Sequence, residues 1–234
     1  MVVAIITGAS RGLGYALSAG LAAAAWDLVT DARTATELTA ATERLRSGGA
    51  RVVAVPGDVT DAGHRRELVA AAERLGGPDL LVNNAGILGP SPQPPLAGYP
   101  LDALREVYEV NTVAPLALIQ LTLPALRARR GAIVTVTSDA AAEPYPGWGG
   151  YGSAKAAAEQ VGRVLAEEEP DVRVWSVDPG DLRTRMHQEA FPGEDIGDRP
   201  PPESVVPAFL RLLAEAPPSG RVRLADLAAT GAAR

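Results

Sequence analysis

Short apolar runs alternate with amphipathic stretches along the whole chain, a pattern that predicts βα units around a parallel sheet. Val2 to Thr7 reads as a buried strand, followed by an Ala/Leu-rich helix from Gly14 to Ala25. Leu28 to Thr30 predicts a second strand, Thr34 to Leu45 a helix, and Arg51 to Val55, with alternating valines, a third strand. Asp61 to Leu75 predicts a helix that Asp61 can cap, with Leu68, Ala71, Ala72 and Leu75 at helical spacing. Asp79 to Val82 is the fourth strand, and Leu101 to Arg129 reads as one long helix with kinks or breaks at Pro115 and Pro124. Ala132 to Thr137, Val172 to Val177 and a short Arg221 to Leu224 supply further strands, with helices at Tyr151 to Glu169 and Glu203 to Ala214. Gly89 to Pro100 and Phe191 to Pro202 are dense in breaking residues and predict loops, the second a mobile one. The tail to Arg234 is expected to be disordered. No linker or repeat divides the chain, so residues 1–234 read as one α/β domain built on a doubly wound parallel sheet of about seven strands.

The first predicted strand runs into Thr7-Gly8-Ala9-Ser10-Arg11-Gly12-Leu13-Gly14 and then a helix. Glycines let a backbone approach a pyrophosphate closely, and the free N–H groups of a helix start favour its charge. A tight βα turn would also use glycine, but strand, loop and helix fall in the order that phosphate binding demands. Near the end of the second strand, Asp31 could take a ribose 2′-hydroxyl, as in NAD sites, whereas Arg33 and Arg11 could pair with a 2′-phosphate. Two cations favour NADP(H) over NAD(H), with Asp31 rotated away or salt-bridged to one of them.

Composition narrows the chemistry. Cysteine is absent from the 234 residues, which excludes disulfides, thiolate zinc sites and a cysteine nucleophile. A net charge of −6 argues against a nucleic-acid partner. The apolar start has no basic flank and is broken by Gly8, far short of the roughly 20 residues of a membrane span. A cytoplasmic protein that needs no membrane is expected. The 22 cationic residues are 21 arginines and one lysine, Lys155.

That lysine stands four residues after Tyr151, so on a helix the two side chains share one face. A single lysine placed at random would follow one of the five tyrosines at this spacing with a chance of about 2%. A phenol ionises near pH 10, and a neighbouring ammonium favours its phenolate. Moving it about three units takes roughly 4 kcal/mol, within reach of a partly buried cation and a charged nicotinamide. Thirteen residues before Tyr151, Ser138 ends a predicted strand, where its hydroxyl could bond a substrate oxygen.

With these residues in place, the sequence resembles the short-chain dehydrogenase/reductase family, in its single-domain branch, a Rossmann-type fold. The similarity runs through the glycine loop at 7–14, Asp58-Val59, Asn83-Asn84-Ala85-Gly86, Asn111, Ser138, Tyr151 with Lys155, and Pro179-Gly180 followed by Thr184. The resemblance implies a ketoreductase-type hydride transfer between nicotinamide and a carbonyl or secondary alcohol. Tyr151 would be the general acid or base, Lys155 would lower its pKa and hold the ribose, and Ser138 would orient the substrate oxygen. Asn111 would hold a water linking Lys155 to solvent. Gly8, Ser10, Arg11, Gly12, Leu13 and Gly14 would hold the pyrophosphate side, Asp58 and Val59 the adenine, and Asn84, Ala85 and Gly86 the ribose side. Pro179, Gly180 and Thr184 would lie on the carboxamide side. Arg33 matches the cation of NADP-preferring members. The segment from Met186 to Pro202 falls where the family keeps a substrate lid. Ser219 to Leu224 is shorter than the last strand many members use in tetramers, which favours a homodimer through the helices at 101–129 and 151–169.

The remaining polar residues read as ordinary. His64 and His187 lack the spacing of a metal set, so no metal is expected; His187 could touch substrate. Glu167, Glu168 and Glu169 read as a solvated helix end, and Tyr145, Pro146 and Trp148 as a pocket mouth. Two other functions are considered: a non-catalytic NAD(P)-binding sensor or scaffold, and an epimerase or dehydratase working through transient oxidation. Intact Asn111, Ser138, Tyr151 and Lys155 argue against the first. The roughly 50 residues after Gly180 leave little room for the substrate domain of the second.

Overall fold

A computed structural model describes residues 2–46 and 49–231. Seven parallel strands lie in the order β3-β2-β1-β4-β5-β6-β7: β1 Val3–Ile6, β2 Asp27–Ala32, β3 Val52–Pro56, β4 Leu80–Asn83, β5 Ala132–Val136, β6 Arg173–Asp178 and β7 Gly220–Arg223. Helices α1 Gly12–Ala23, α2 Ala35–Arg46 and α3 Ala62–Arg74 follow the first three strands. Strand neighbours run outward in both directions from β1, so the order reverses between β1 and β4 and opens a crevice at their carboxyl ends.

Alternation along each strand divides the core. Ala4 and Ile6 of β1 face Leu17, Leu21, Trp175, Phe209 and Leu212, while Val3 and Ile5 face Leu68, Leu118, Ile119, Leu126 and Val174. Both faces of the central strands are buried, which is why β1 and β4 read as nearly unbroken apolar runs.

The stretch read as one long helix is interrupted, though not by its prolines. It comprises α4 Leu101–Tyr108, a π turn at Glu109–Val113 and α5 Ala114–Arg129. Asn111 inside the wide turn donates its Nδ2 to Val107 O at 3.0 Å and to Ile87 O at 2.8 Å, competing with the backbone for a helical carbonyl. Pro115 sits in the first turn of α5, where its missing N–H is harmless, and Pro124 is carried inside α5.

The second half continues with α6 Gly149–Glu168, α7 Arg185–Ala190, α8 Val206–Glu215 and α9 Leu224–Gly231. Two expectations change here. Residues 224–231 form a helix with Leu224 in the core, while residues 232–234 lie outside the described residues. Glu169 is buried rather than solvated, because Arg127 donates Nε to its Oε2 at 2.6 Å and Nη2 to its Oε1. The short α7 overlaps the start of the segment assigned to a lid, where no helix is expected, and ends just before the predicted loop at Phe191.

Candidate functional site

A cleft of about 1070 Å³ runs along the carboxyl ends of the strands, a volume suited to a ligand of drug size or larger. Its floor is the meeting of the loops after β1 and β4. Gly8 has φ of +66°, and a Cβ there would lie 3.0 Å from Ala85 Cα. On Gly14 a Cβ would lie 2.3 Å from Gly8 O. Asn84 and Thr7 stitch the loops together: Asn84 Nδ2 donates to Thr7 O (2.8 Å) and Gly8 O (3.1 Å), and Thr7 Oγ1 accepts from Ala85 N (2.9 Å). Arg11, the residue before α1, makes no side-chain cap, so the first N–H groups of the helix face the cleft without one. Ser10, Gly12 and Leu13 line the same end. This cradle fits a dinucleotide pyrophosphate, because side chains at Gly8 or Gly14 would collide with the loop after β4 or with Gly8 itself and spread the turn whose N–H groups would meet an anion.

At the adenosine end the acidic residue turns inward. Asp31 is 1% exposed, accepts the N–H of Gly8 on Oδ1 at 2.7 Å and lies 3.0 Å from His64 Nε2 through Oδ2. Burial raises its pKa against these two contacts. Asp31 still borders the cleft, but neither Arg33 nor Arg11 bonds it, because Gly8 and His64 occupy both oxygens. Arg11 instead pairs with Glu37 at 2.9 Å. Arg33 lines the cleft beside Asp58. Burial works to raise the Asp58 carboxyl, but hydrogen bonds from Thr60 and the charges of Arg33 and His64 outweigh it and hold the group below the usual range. Val59 completes this end.

At the other end, α6 carries Tyr151 and Lys155 on one face, 7% and 5% exposed. Lys155 Nζ donates to Val136 O at 2.9 Å and lies 5.5 Å from the centre of the Tyr151 ring. Burial lowers the Lys155 pKa to about 8, against the support of Glu159. The Tyr151 phenol is raised, first by burial and then by the carboxylates of Asp139 and Asp178. The expected lowering draws on a charged nicotinamide as well as on Lys155; the lysine by itself does not outweigh burial and these two carboxylates. Tyr151 therefore holds its proton, the state required of an acid.

Ser138 follows β5 and donates Oγ to Asp139 Oδ1 at 2.8 Å, while Asp139 Oδ2 accepts from Tyr145 OH at 3.0 Å. Asn111 is fixed to the Ile87 and Val107 backbone by its side chain. It still faces the lysine, since a Cβ on Gly86 would lie 2.7 Å from Asn111 Oδ1 and 3.6 Å from Lys155 Nζ. Pro179 and Gly180 border the cleft after β6, and Gly180 N donates to Asp178 Oδ1 at 2.9 Å. Thr184 caps α7, its hydroxyl accepting from His187 N at 3.2 Å. The outer wall holds Leu88, Trp148, Met186 and His187, with Trp148 edge-on to Tyr151 at 5.9 Å and 5.8 Å from Phe191. Ser91 ties this wall to α7 by donating to Glu189 O at 2.6 Å.

The structure gathers the residues singled out for cofactor or chemistry around one cleft, save Asn111, which is buried behind Gly86 and does not line it, and adds partners that the sequence did not reveal. His64 gave no signal because Asp31 lies a whole βα unit earlier. Asp139 could have been noticed as the carboxylate next to Ser138. Glu159 could have been noticed too, one helical turn beyond Lys155.

The sequence model of the short chain dehydrogenase family matches residues 2–195. Sepiapterin reductase from Rattus norvegicus is 36% identical over 201 residues, covering 80% of this chain and 77% of the relative. The 1-deoxy-11-beta-hydroxypentalenate dehydrogenase of Streptomyces arenae is 36% identical over 192 residues, covering 78% and 68%. Among solved structures, an alcohol dehydrogenase from Thermococcus sibiricus complexed with 5-hydroxy-NADP superposes with a TM-score of 0.86 at 30% identity, covering 95% of both chains. Fold and cleft define an NAD(P)-dependent oxidoreductase acting on a small molecule. The chain belongs to the short-chain dehydrogenase/reductase family.

Proposed function

We propose that the protein is an NADPH-dependent reductase of aldehydes or ketones, in which Tyr151 protonates the oxygen formed from the substrate carbonyl. The observation that carries this reading is the buried pair of a proton-bearing Tyr151 and Lys155 in the same cleft as the glycine cradle. Reduced nicotinamide, when bound, supplies the hydride. The chain's own residues do the rest. Gly8 to Gly14 would hold the pyrophosphate, Asp58 and Val59 the adenine, Asn84 to Gly86 the ribose side, and Pro179, Gly180 and Thr184 the carboxamide side. Lys155 would hold ribose hydroxyls and offset negative charge as Tyr151 gives up its proton. Asn111, across Gly86, would place a water that returns a proton through Lys155. Ser138 would orient the substrate oxygen once its hydroxyl turns from Asp139. The Leu88, Trp148 and Met186 wall, which we take to include the substrate-facing lid at 186–202, favours a carbonyl flanked by an apolar or aromatic group. Relatives named as reductases and dehydrogenases, one solved with an NADP analogue, support the reading.

The preference for NADPH rests on Arg33, with Asp31 withdrawn from the ribose by Gly8 and His64. Arg33→Ala is expected to lower kcat/KM for NADPH about 10-fold to 100-fold and to leave that for NADH nearly unchanged, the scale of one lost charged hydrogen bond. Equal losses with both cofactors in paired steady-state assays would show that Arg33 does not meet a 2′-phosphate.

A pH dependence follows from Lys155. Its charge is present below a pKa of about 8 and lost above it, so kcat/KM for reduction should fall as pH rises through that value. A profile that is flat across this range, or that rises, would show that the ammonium is not required.

A further inference from the structure

Behind the reaction site, the last strand sends a guanidinium inward. Arg221, paired in register with Ser176 of β6, donates Nη2 to Asp178 Oδ2 at 2.8 Å and to Ser138 O at 3.1 Å, and Nη1 to Glu159 Oε1. Glu159 also accepts from Thr137 Oγ1 at 2.6 Å, with Arg163 Nη2 at 3.4 Å from its other oxygen. Both carboxylates are deeply buried, at 3% and 5% exposure.

Each group that Arg221 touches bears on the proposed chemistry. Glu159 lies one helical turn beyond Lys155 and stabilises its charge. Asp178, with Asp139, raises the phenol of Tyr151, and it also holds Gly180 N at the nicotinamide side of the cleft. The Ser138 carbonyl belongs to the residue whose hydroxyl would orient the substrate. Without Arg221, Asp178 would lose its guanidinium and Glu159 would keep only the exposed Arg163, so both would draw on Lys155, a buried cation nearby.

We propose that Arg221 is a positioning residue of the reaction site: it clamps the Ser138 main chain and neutralises Glu159 and Asp178, so that Lys155 serves Tyr151 and ribose rather than Glu159. The proposal rests on the carbonyl-reductase reading for its kinetic consequence, but its electrostatic consequence is measurable without turnover. Because the chain has one lysine, protein labelled with [ε-13C]lysine gives a single side-chain resonance whose pH titration reports Lys155 alone.

In the wild-type protein that resonance is expected to titrate near 8. In Arg221→Met the midpoint should rise by about one pH unit as Glu159 turns its full charge on the lysine. The same variant should lose about 10-fold to 100-fold in kcat, the scale of a misplacement near the reacting atoms, and KM for NADPH should rise with it, because a lysine drawn to Glu159 holds the ribose less well. Arg221→Met/Glu159→Gln should bring the midpoint back down and leave kcat low, because Ser138 is still unclamped. Glu159→Gln alone, which keeps Arg221, should move the midpoint below that of the wild type and serves if Arg221→Met does not fold. A Lys155 midpoint unmoved in these variants would overturn the electrostatic role, and an unchanged kcat in folded Arg221→Met would overturn the positioning role. If the wild type reduces no carbonyl, the reductase reading fails, while the lysine titration still decides whether Arg221 controls the charge at Lys155.

Discussion

Tyr151→Phe is expected to bind NADPH as the wild type does and to reduce carbonyl substrates roughly 10³-fold more slowly, the scale of a lost general acid. The ring should stay where it is. It is 7% exposed and packed edge-on against Trp148 at 5.9 Å, so removing one oxygen leaves the aromatic contacts and the surrounding core intact. What is lost is the only phenol that α6 brings beside Lys155. The structure gives the residue the protonation state that this role needs, since burial, Asp139 and Asp178 all keep the proton on oxygen. The check is paired: NADPH affinity by fluorescence and turnover by loss of reduced nicotinamide. Retained turnover would mean that the proton comes from elsewhere, and lost NADPH affinity would mean that the tyrosine holds the cofactor rather than the reaction.

Lys155→Arg should be nearly as damaging although no charge is lost. Lys155 Nζ reaches Val136 O at 2.9 Å from a position 5% exposed, with Gly86 and Asn111 on its other side. An ammonium is compact and can donate in several directions, whereas a guanidinium is planar and wider. Fitting it would push against the Gly86 backbone or displace Asn111, at a cost of about 1–3 kcal/mol for overpacking. The expected outcome is a folded protein with a modestly lower melting temperature, weaker NADPH binding and at least a 100-fold loss of kcat/KM, since a misplacement of about 1 Å near the chemistry has that scale. Activity within tenfold of the wild type would show that the site needs only a positive charge.

The reasons these residues were visible in sequence, and others were not, are physical. The five inner strands are buried on both faces and read as largely apolar runs; β3, half-buried at one edge, shows by its alternating valines, and β7, short and at the other edge, carries two arginines and shows only weakly. The glycine loop was legible because two of its positions tolerate no side chain. Tyr151 and Lys155 were legible because helical geometry ties residues four apart. The break at Asn111 was not, since it depends on a side chain competing for a carbonyl of its own helix and of the loop after β4. The opposing pull on the Tyr151 phenol is hidden for a related reason: burial and the carboxylates of Asp139 and Asp178 come from separate strands and loops. Arg221 shows in the sequence only as part of a short strand, because the partners of its side chain lie 43 to 83 residues away.

The central claim is catalytic reduction, as opposed to the binding of a nicotinamide cofactor without turnover. The most direct measurement incubates the purified protein with NADPH and a panel of aromatic and aliphatic aldehydes and ketones, and quantifies both the loss of NADPH and the alcohol formed. The account predicts carbonyl-dependent consumption matched one for one by alcohol, strongest for a carbonyl next to an apolar or aromatic group. Saturable NADPH binding with no alcohol from any member of the panel would contradict it.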